Sequence, residues 1–133
     1  MALTAMFTYS GAQRALESLS NGYVCLFTAE PSQSGGFTNE VSGNGYSRKA
    51  IGGFTTDQGV AKNTKAITFD EPTGSWGTVT HFGIASSSSD GSLLYYGALK
   101  DASTQTQGVS IGPGYIFLIR ANGLEIRLDA SET

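Results

Sequence analysis

The sequence TGSWGTVTHFGIASSSSDGSLLYYGAL at residues 73–99 decides the fold, because it has the pattern of a β-hairpin. Residues 78–85 and 93–99 are rich in β-branched, leucine and aromatic side chains, which are typical of β-strands. The SSSSDGS segment between them favours a turn, since Asp90 bonds to local main-chain groups and Gly91 adopts positive φ without a Cβ clash. We therefore predict two antiparallel strands joined by a serine-rich tip.

Residues outside this hairpin also carry strand patterns. Residues 23–29 are apolar on both faces and predict a central strand, and residues 123–128 alternate apolar and charged side chains, which predicts a half-buried strand. The Asn122-Gly123 pair favours a two-residue turn that joins this last strand to another at 115–120. Further strands are predicted at residues 2–9, 46–51, 66–70 and 104–111.

One short helix is predicted near the start of the chain. Ser10 has the position of an N-cap, with Gln13 three residues later, and an Asn-Gly pair ends the apolar stripe that follows. Residues 52–65 contain few apolar side chains and are predicted to form a loop. The sequence therefore predicts a mainly β fold, an antiparallel β-sandwich or jelly roll of about eight strands with one short N-terminal helix, in a single domain that spans residues 1–133.

The composition limits the classes of function. The net charge is −3 and only 14% of the residues are charged, whereas a nucleic-acid partner requires a basic surface that neutralises phosphates. Arg48 and Lys49 form the one adjacent basic pair, and we expect both side chains to be solvated on a strand. A weakly charged surface can be covered by another protein without desolvating many charges, so the composition favours an assembly component.

Neither a cofactor nor a membrane segment is predicted. Cys25 and His81 are the single cysteine and the single histidine, so they cannot build an internal disulfide or a Cys/His zinc cluster. Cys25 lies in an apolar run and is expected to be a buried thiol. The longest apolar run, residues 115–119, is far shorter than the roughly 20 residues of a membrane-spanning helix. Residues 1–7 lack the basic region of a secretory signal, so we expect synthesis in a cytoplasm.

Catalytic patterns in the sequence are weak. Residues 108–112, GVSIG, match the G-x-S-x-G pattern of a hydrolase nucleophile elbow, but that motif needs a helix after the strand, and here a Pro-Gly turn follows. His81 precedes Ser110, against the order of that fold, and is expected to be a hydrogen-bonding strand residue. Asp70 and Glu71 are neighbours in a strand and face opposite sides, so they cannot share a proton or a metal. We predict no catalytic residue, and an esterase that uses Ser110 is the least favoured function.

The order of several segments resembles one protein family. After the short helix come YVCLFTAEP (23–31), EVSGNGYSR (40–48), AITF (66–69), WGTVTHFGI (76–84) and LLYYGAL (93–99). In this order they resemble small proteins of tailed bacteriophages that are commonly labelled phage tail fibre proteins, over residues 10–128. The resemblance implies a structural protein of the virion, made in the host cytoplasm, with no catalytic activity.

Length and the lack of repeats constrain that role. A fibre shaft requires repeated units, which the 133 residues do not contain. We therefore expect a tail-fibre-like adaptor, knob or collar component whose partners are other virion proteins and copies of itself, with a trimer as the first expectation. Two alternatives remain open: a capsid decoration (cement) protein, and a carbohydrate-binding module that recognises host surface polysaccharide.

Two sets of residues are candidate contact sites. Residues 1–9 form a candidate N-terminal arm, in which Leu3, Phe7 and Tyr9 lie on one side of an extended segment that can add a strand to a neighbouring subunit. An ordinary first strand within the subunit is the alternative. The second set consists of aromatic residues that could contact a glycan or a partner, although aromatic residues in strands are more often in the core: Trp76, Tyr95, Tyr96 and Tyr115. Trp76 is also expected to cover one end of the core, with its N–H bound to a partner.

Overall fold

A computed structural model of the chain describes residues 9–32, 36–57, 60–99 and 108–127. In chain order these residues form helix α1 (Tyr9–Glu17), a 3₁₀-helix (Ser18–Asn21) and eleven strands: β1 (Tyr23–Phe27), β2 (Lys49–Ala50), β3 (Phe54–Asp57), β4 (Val60–Asn63), β5 (Ile67–Thr68), β6 (Gly77–Val79), β7 (His81–Ala85), β8 (Leu93–Ala98), β9 (Val109–Ile111), β10 (Leu118–Ile119) and β11 (Glu125–Arg127). The strands pair in antiparallel sheets. The predicted mainly β fold with one short α-helix is confirmed, with more and shorter strands than expected.

The largest sheet has the order β2-β1-β7-β8 and contains the predicted hairpin. β7 pairs with β8, and the Ser86 N–H donates to the Ser92 carbonyl at 2.9 Å where the connecting tip begins and ends. Asp90 and Gly91 have φ values of 54° and 75°, as the turn requires. The hairpin and its serine-rich tip are therefore confirmed.

Strand β1 is buried on both faces of this sheet, as predicted. Val24 and Leu26 belong to the main hydrophobic core, whereas Cys25 and Phe27 belong to a second cluster. Because neighbouring residues of a strand point to opposite faces, these two pairs place apolar contacts on both sides of β1. Burial raises the pKa of the Cys25 thiol to about 12.

The predicted single strand at 78–85 is divided between two sheets. β6 pairs with β9, whereas β7 pairs with β1 and β8. Thr80 lies between them, where its N–H donates to the Phe27 carbonyl and its carbonyl accepts from the Leu99 N–H. Because β1 and β8 both end beside Thr80, the preceding residues pair with a different strand.

Strands β3 and β4 form a hairpin within residues 52–65, where the sequence predicted a loop. That prediction was wrong because these strands need few apolar side chains of their own. Ala61 and Asn63 are fully buried, while Lys62 between them is exposed. Helix α1 packs against both strands and buries Leu16, so the helix supplies apolar surface that the strands lack.

The predicted hairpin across Asn122 is wrong, since β10 pairs with β5 and β11 pairs with β4. The buried Asn63 gives the physical reason. Its Nδ2 donates to the Arg120 carbonyl, its Oδ1 accepts from the Leu124 N–H, both at 2.9 Å, and its main-chain carbonyl accepts from the Asn122 N–H at 2.8 Å. These hydrogen bonds use main-chain groups on both sides of the turn, so the two flanking strands do not pair with each other. β10 pairs with β5 and β11 with β4 instead.

Two other sequence patterns are confirmed and one is corrected. Ile67 and Phe69 are buried, as are Leu124 and Ile126, so both predicted strand patterns have apolar residues facing the core. Helix α1 begins at Tyr9, so Ser10 is the second helical residue and not the N-cap. The helix itself lies where the sequence predicted it.

Candidate docking surface

The candidate arm lies almost entirely outside the described residues. This applies to Leu3 and Phe7, and to the predicted strand at 2–9 apart from its last residue. Tyr9 is the first residue of α1, so the expectation of an extended conformation at Tyr9 is wrong. The helix continues the chain directly from this point to the 3₁₀-helix.

Trp76 is a core residue, and this corrects its assignment to a glycan surface. Its side chain is 5% exposed, and its ring lies edge-on to Tyr46 at 5.4 Å between centroids and edge-on to Phe69 at 6.4 Å. Its Nε1–H donates to the Asn44 carbonyl at 2.9 Å, which confirms the expected partner for the indole N–H. A ring enclosed in this way cannot stack on a sugar.

The three tyrosines of the same predicted set lie in different environments. Tyr95 is half-buried and its ring contacts Phe82 at 6.3 Å beside the main core. Tyr96 is half-buried on the opposite face of β8, since adjacent strand residues alternate. Tyr115 is 66% exposed in the segment between β9 and β10. Only Tyr115 of the four aromatic residues has a largely exposed side chain.

Tyr115 is part of an apolar surface segment, which we name the apolar face and define as Tyr115, Ile116 and Leu118. Ile116 is 57% exposed and Leu118 is 49% exposed. Most large apolar side chains in small soluble domains are buried, and contiguous exposed ones mark contact surfaces. This face is not among the contact sites predicted from the sequence, although the continuous apolar run at residues 115–119 indicates that one side of the strand packs against another surface.

The main chain holds the apolar face in a fixed conformation. The Tyr115 N–H donates to the Gly112 carbonyl at 3.1 Å, and the Gly114 N–H donates to the Glu71 carboxylate at 3.1 Å. On the other side, the Phe69 N–H donates to the Phe117 carbonyl at 3.0 Å. The Phe117 ring lies edge-on to the Phe69 ring at 5.7 Å, so Phe117 points inward while its two neighbours point outward.

An ion pair that the sequence analysis missed connects the hairpin tip to the rest of the fold. Arg48 and Glu40 have side chains that are 6% and 12% exposed, so the expected solvated basic pair is wrong for Arg48. The Arg48 Nη1 donates to the carbonyls of Ser87 and Asp90 in the tip, at 2.9 and 2.8 Å. Its guanidinium also lies over the Phe37 ring at 4.4 Å. Hydrogen bonds to the Glu40 carboxylate raise the pKa of Arg48.

Tyr46 completes this buried polar cluster. Its hydroxyl donates to Glu40 at 2.7 Å and accepts from the Leu26 N–H at 3.0 Å. Burial, followed by the hydrogen bond to Glu40, raises the pKa of Tyr46 far above its ordinary value. The other residue of the basic pair, Lys49, contacts Asp70 at 2.9 Å in an exposed ion pair.

The candidate catalytic residues have separate partners. Ser110 lies exposed on β9, and its hydroxyl is 3.3 Å from the Thr78 hydroxyl. His81 is half-buried on β7, and its Nδ1 is 2.8 Å from the Thr80 hydroxyl. A turn, not a helix, follows β9, which differs from a nucleophile elbow.

The described ranges contain no cluster of three His, Cys, Asp or Glu residues that could hold a metal ion. Within the same ranges, neither helix has the length and apolar character needed to cross a membrane.

A cleft of about 490 Å³ lies behind the apolar face, between β8, β10 and β11. Phe82, Leu99, Phe117 and Ile119 form its half-buried apolar walls. Phe117 and Ile119 alternate with the outward-facing Ile116 and Leu118, so β10 separates this cleft from the apolar face.

Comparison with known proteins gives one result at the family level. No curated protein matches the chain. A model of one family, described as podophage GP4 fiber I protein gp80, matches residues 8–124. This match covers most of the 133 residues and all the described strands except β11. The chain therefore belongs to the family of podophage fibre proteins described as podophage GP4 fiber I protein gp80.

Proposed function

We propose that this fibre-family protein is a non-catalytic adaptor or knob subunit that assembles into a homotrimer through the apolar face. Membership of the family makes it a phage structural protein that is located in the virion and contacts other virion proteins. The observation that carries the finer proposal is the exposure of Tyr115, Ile116 and Leu118 on one short segment.

The chemistry of the apolar face suits contact between copies of the chain. None of its three side chains is charged, so burial of the apolar face between two subunits removes no charged group of this face from water. Its conformation is fixed by the hydrogen bonds of Tyr115 and Gly114, so little main-chain entropy is lost when a partner covers it.

A cyclic trimer needs two different complementary surfaces on each subunit. Leu94 on β8 is also exposed, at 48%, and it is the proposed acceptor of the apolar face on the next subunit. Because the two surfaces lie on different elements of the chain, the interaction can repeat around a ring.

Sedimentation velocity on the purified 13.9 kDa chain tests the trimer. We expect a species of three times the chain mass, and we expect Ile116→Asp to convert it to a monomer with an unchanged circular dichroism spectrum. Ser88→Asp, at an exposed site in the hairpin tip, is the matched control and should remain trimeric. A monomeric parent protein, or a trimeric Ile116→Asp variant, contradicts the proposal.

A density map of the assembled particle tests the position. We expect the subunit in the tail fibre assembly, at the end or the attachment point of a fibre. Density on the outer surface of the capsid instead would identify a decoration protein and would contradict the adaptor or knob role.

A further inference from the structure

The cleft of about 490 Å³ behind the apolar face lies beside a strand at the end of its sheet. Strand β8 is the last member of the order β2-β1-β7-β8, so within the described part of the chain it pairs only with β7. Its other edge is open. An open strand edge is a template that a further extended segment can join.

The open edge of β8 borders the cleft at Ala98. The Leu99 N–H donates to the Thr80 carbonyl within the sheet. Because the main-chain groups of neighbouring strand residues point to opposite sides, the N–H and C=O of Ala98 point to the open edge. Ala98 and Leu99 both line the cleft although their side chains point to opposite faces, so the strand edge itself lies along the cleft. An extended segment placed here can form main-chain hydrogen bonds with Ala98.

The apolar walls of the cleft indicate which segment fits. Residues 33–35, 58–59 and 100–107, outside the described ranges, contain no apolar side chain larger than alanine, and residues 128–133 contain only Leu128. Residues 1–8, MALTAMFT, are rich in large apolar side chains, and Leu3, Ala5 and Phe7 recur at every second position. In an extended segment these three side chains lie on one face. Of the segments outside the described ranges, residues 1–8 therefore match the cleft best.

The position of helix α1 favours a segment that comes from another subunit. α1 begins at Tyr9 and packs against β3 and β4, whereas the cleft borders β11, at the other end of that sheet from β3. The apolar face lies across β10 from the cleft, so a subunit that covers this face comes next to the cleft. The choice of donor thus rests on the trimer proposed above.

We propose that residues 1–8 of one subunit add a strand to the open edge of β8 in the next subunit, with Leu3 and Phe7 in the cleft. Main-chain hydrogen bonds to Ala98 contribute affinity, and the apolar walls determine which face of the added strand turns inward. The added strand covers the open edge and gives neighbouring subunits a second contact besides the apolar face.

Disulfide trapping between two co-expressed full-length variants tests this contact. One variant carries Ala98→Cys, and the other carries a cysteine in place of Ala2, Thr4, Ala5 or Met6. Paired residues of adjacent strands have Cβ atoms about 4.5–5.5 Å apart, close to the separation in a disulfide, so we expect one of the four positions to cross-link on mild oxidation. Cys25 is fully buried and is expected not to react.

A matched acceptor and a matched pair of donor substitutions serve as controls. We expect the cross-linked species of twice the chain mass to form at least about tenfold faster with Ala98→Cys than with Ala66→Cys, at an exposed alanine outside the cleft. Phe7→Asp in the donor chain is expected to slow the reaction, because it places a charge against apolar walls. Thr8→Asp adds the same charge on the other face of the segment and should leave the rate unchanged.

Three outcomes overturn the proposal: equal rates for the two acceptors, a link that forms only when both cysteines are in one chain, or a faster link from Ser131→Cys than from residues 2–6. Sedimentation separates this result from that of the trimer. A trimeric parent without the cross-link contradicts strand addition alone. A cross-linked chain that never reaches three times the chain mass supports strand addition and contradicts the trimer.

Discussion

The Arg48 guanidinium and the Glu40 carboxylate make two parallel hydrogen bonds, from Nε to Oε2 and from Nη2 to Oε1, both at 2.8 Å. This two-point geometry is specific to arginine, because a lysine ammonium cannot donate in parallel. The remaining Nη1 donors bind the hairpin tip, so one side chain joins the second hydrophobic cluster, the buried carboxylate and the tip.

Removal of the arginine should destabilise the fold strongly. Arg48→Met leaves the Glu40 carboxylate buried without its cation, and we expect the free energy of unfolding to fall by about 3 kcal/mol in urea titrations. Lys49→Met is the control, since its ion pair with Asp70 is exposed and should contribute less than about 1 kcal/mol. Equal losses for the two variants would refute the buried character of the Arg48 pair.

Replacement of the buried Asn63 carboxamide by a carboxylate should destabilise the fold. Asn63→Asp removes the Nδ2 donor to the carbonyls of Lys65 and Arg120 and places a charge beside both, so we expect a loss of at least about 3 kcal/mol in stability. The exposed Asn122→Asp variant is the control and should change stability by less than about 0.5 kcal/mol. Chemical unfolding measures both, and a loss below 1 kcal/mol for Asn63→Asp would be inconsistent with these contacts.

The Cys25 thiol should make stability fall at alkaline pH. Its pKa rises from the ordinary value of 9.0 to about 12 on folding, so the folded chain retains a proton that the unfolded chain loses between pH 9 and 12. The stabilisation is complete below pH 9, and about 1.4 kcal/mol of it is lost by pH 10.

The Cys25→Ala variant isolates this effect, because the other titrating groups are the same in both chains. The difference in unfolding free energy between the parent and Cys25→Ala should therefore shrink by about 1.4 kcal/mol from pH 7 to pH 10. A difference that stays constant over this range would show that the thiol is not buried.

A methyl group at Gly83 should not fit between β1 and β8. A Cβ at this position would lie 2.7 Å from Leu93 Cδ1 and 2.9 Å from Phe27 Cε1, and we expect Gly83→Ala to cost about 1–3 kcal/mol. Gly112→Ala is the control, since its nearest neighbour is 3.8 Å away, and its stability should be unchanged or raised by up to about 1 kcal/mol. Thermal unfolding of both variants checks the difference, and equal transition temperatures would contradict the close contact.

Local sequence patterns predicted the elements whose partners are close in the chain or whose alternation is clear. The hairpin of β7 and β8, the twice-buried β1 and the inward-facing Ile67 and Phe69 follow from side-chain period and turn chemistry. Trp76 was also predicted to cover the core, because glycines flank it and a strand follows.

Contacts between distant residues could not be predicted in this way. The Asn-Gly turn at Asn122 is the preferred hairpin signal, but the side chain of Asn63, 61 residues before Leu124, binds the main chain around it. Arg48 is a second example. Charged side chains such as this one are ordinarily solvated, and only the tertiary fold brings the Arg48 guanidinium beside Glu40 and the Asp90 carbonyl. The polar strand β4 is stabilised by α1, which no local pattern of residues 52–65 indicates.

The grip of Arg48 on the hairpin tip has a consequence for variation between related phages. Arg48 donates to the carbonyl oxygens of Ser87 and Asp90. Because every residue has a main-chain carbonyl, these two hydrogen bonds do not depend on which side chains stand at positions 87 and 90. Substitutions that keep the turn can therefore alter what the loop displays while its attachment to the body persists. The side chains of the tip can therefore vary in evolution, and with them the groups that the tip exposes, while the hydrogen bonds from Arg48 to its main chain and the rest of the domain stay the same.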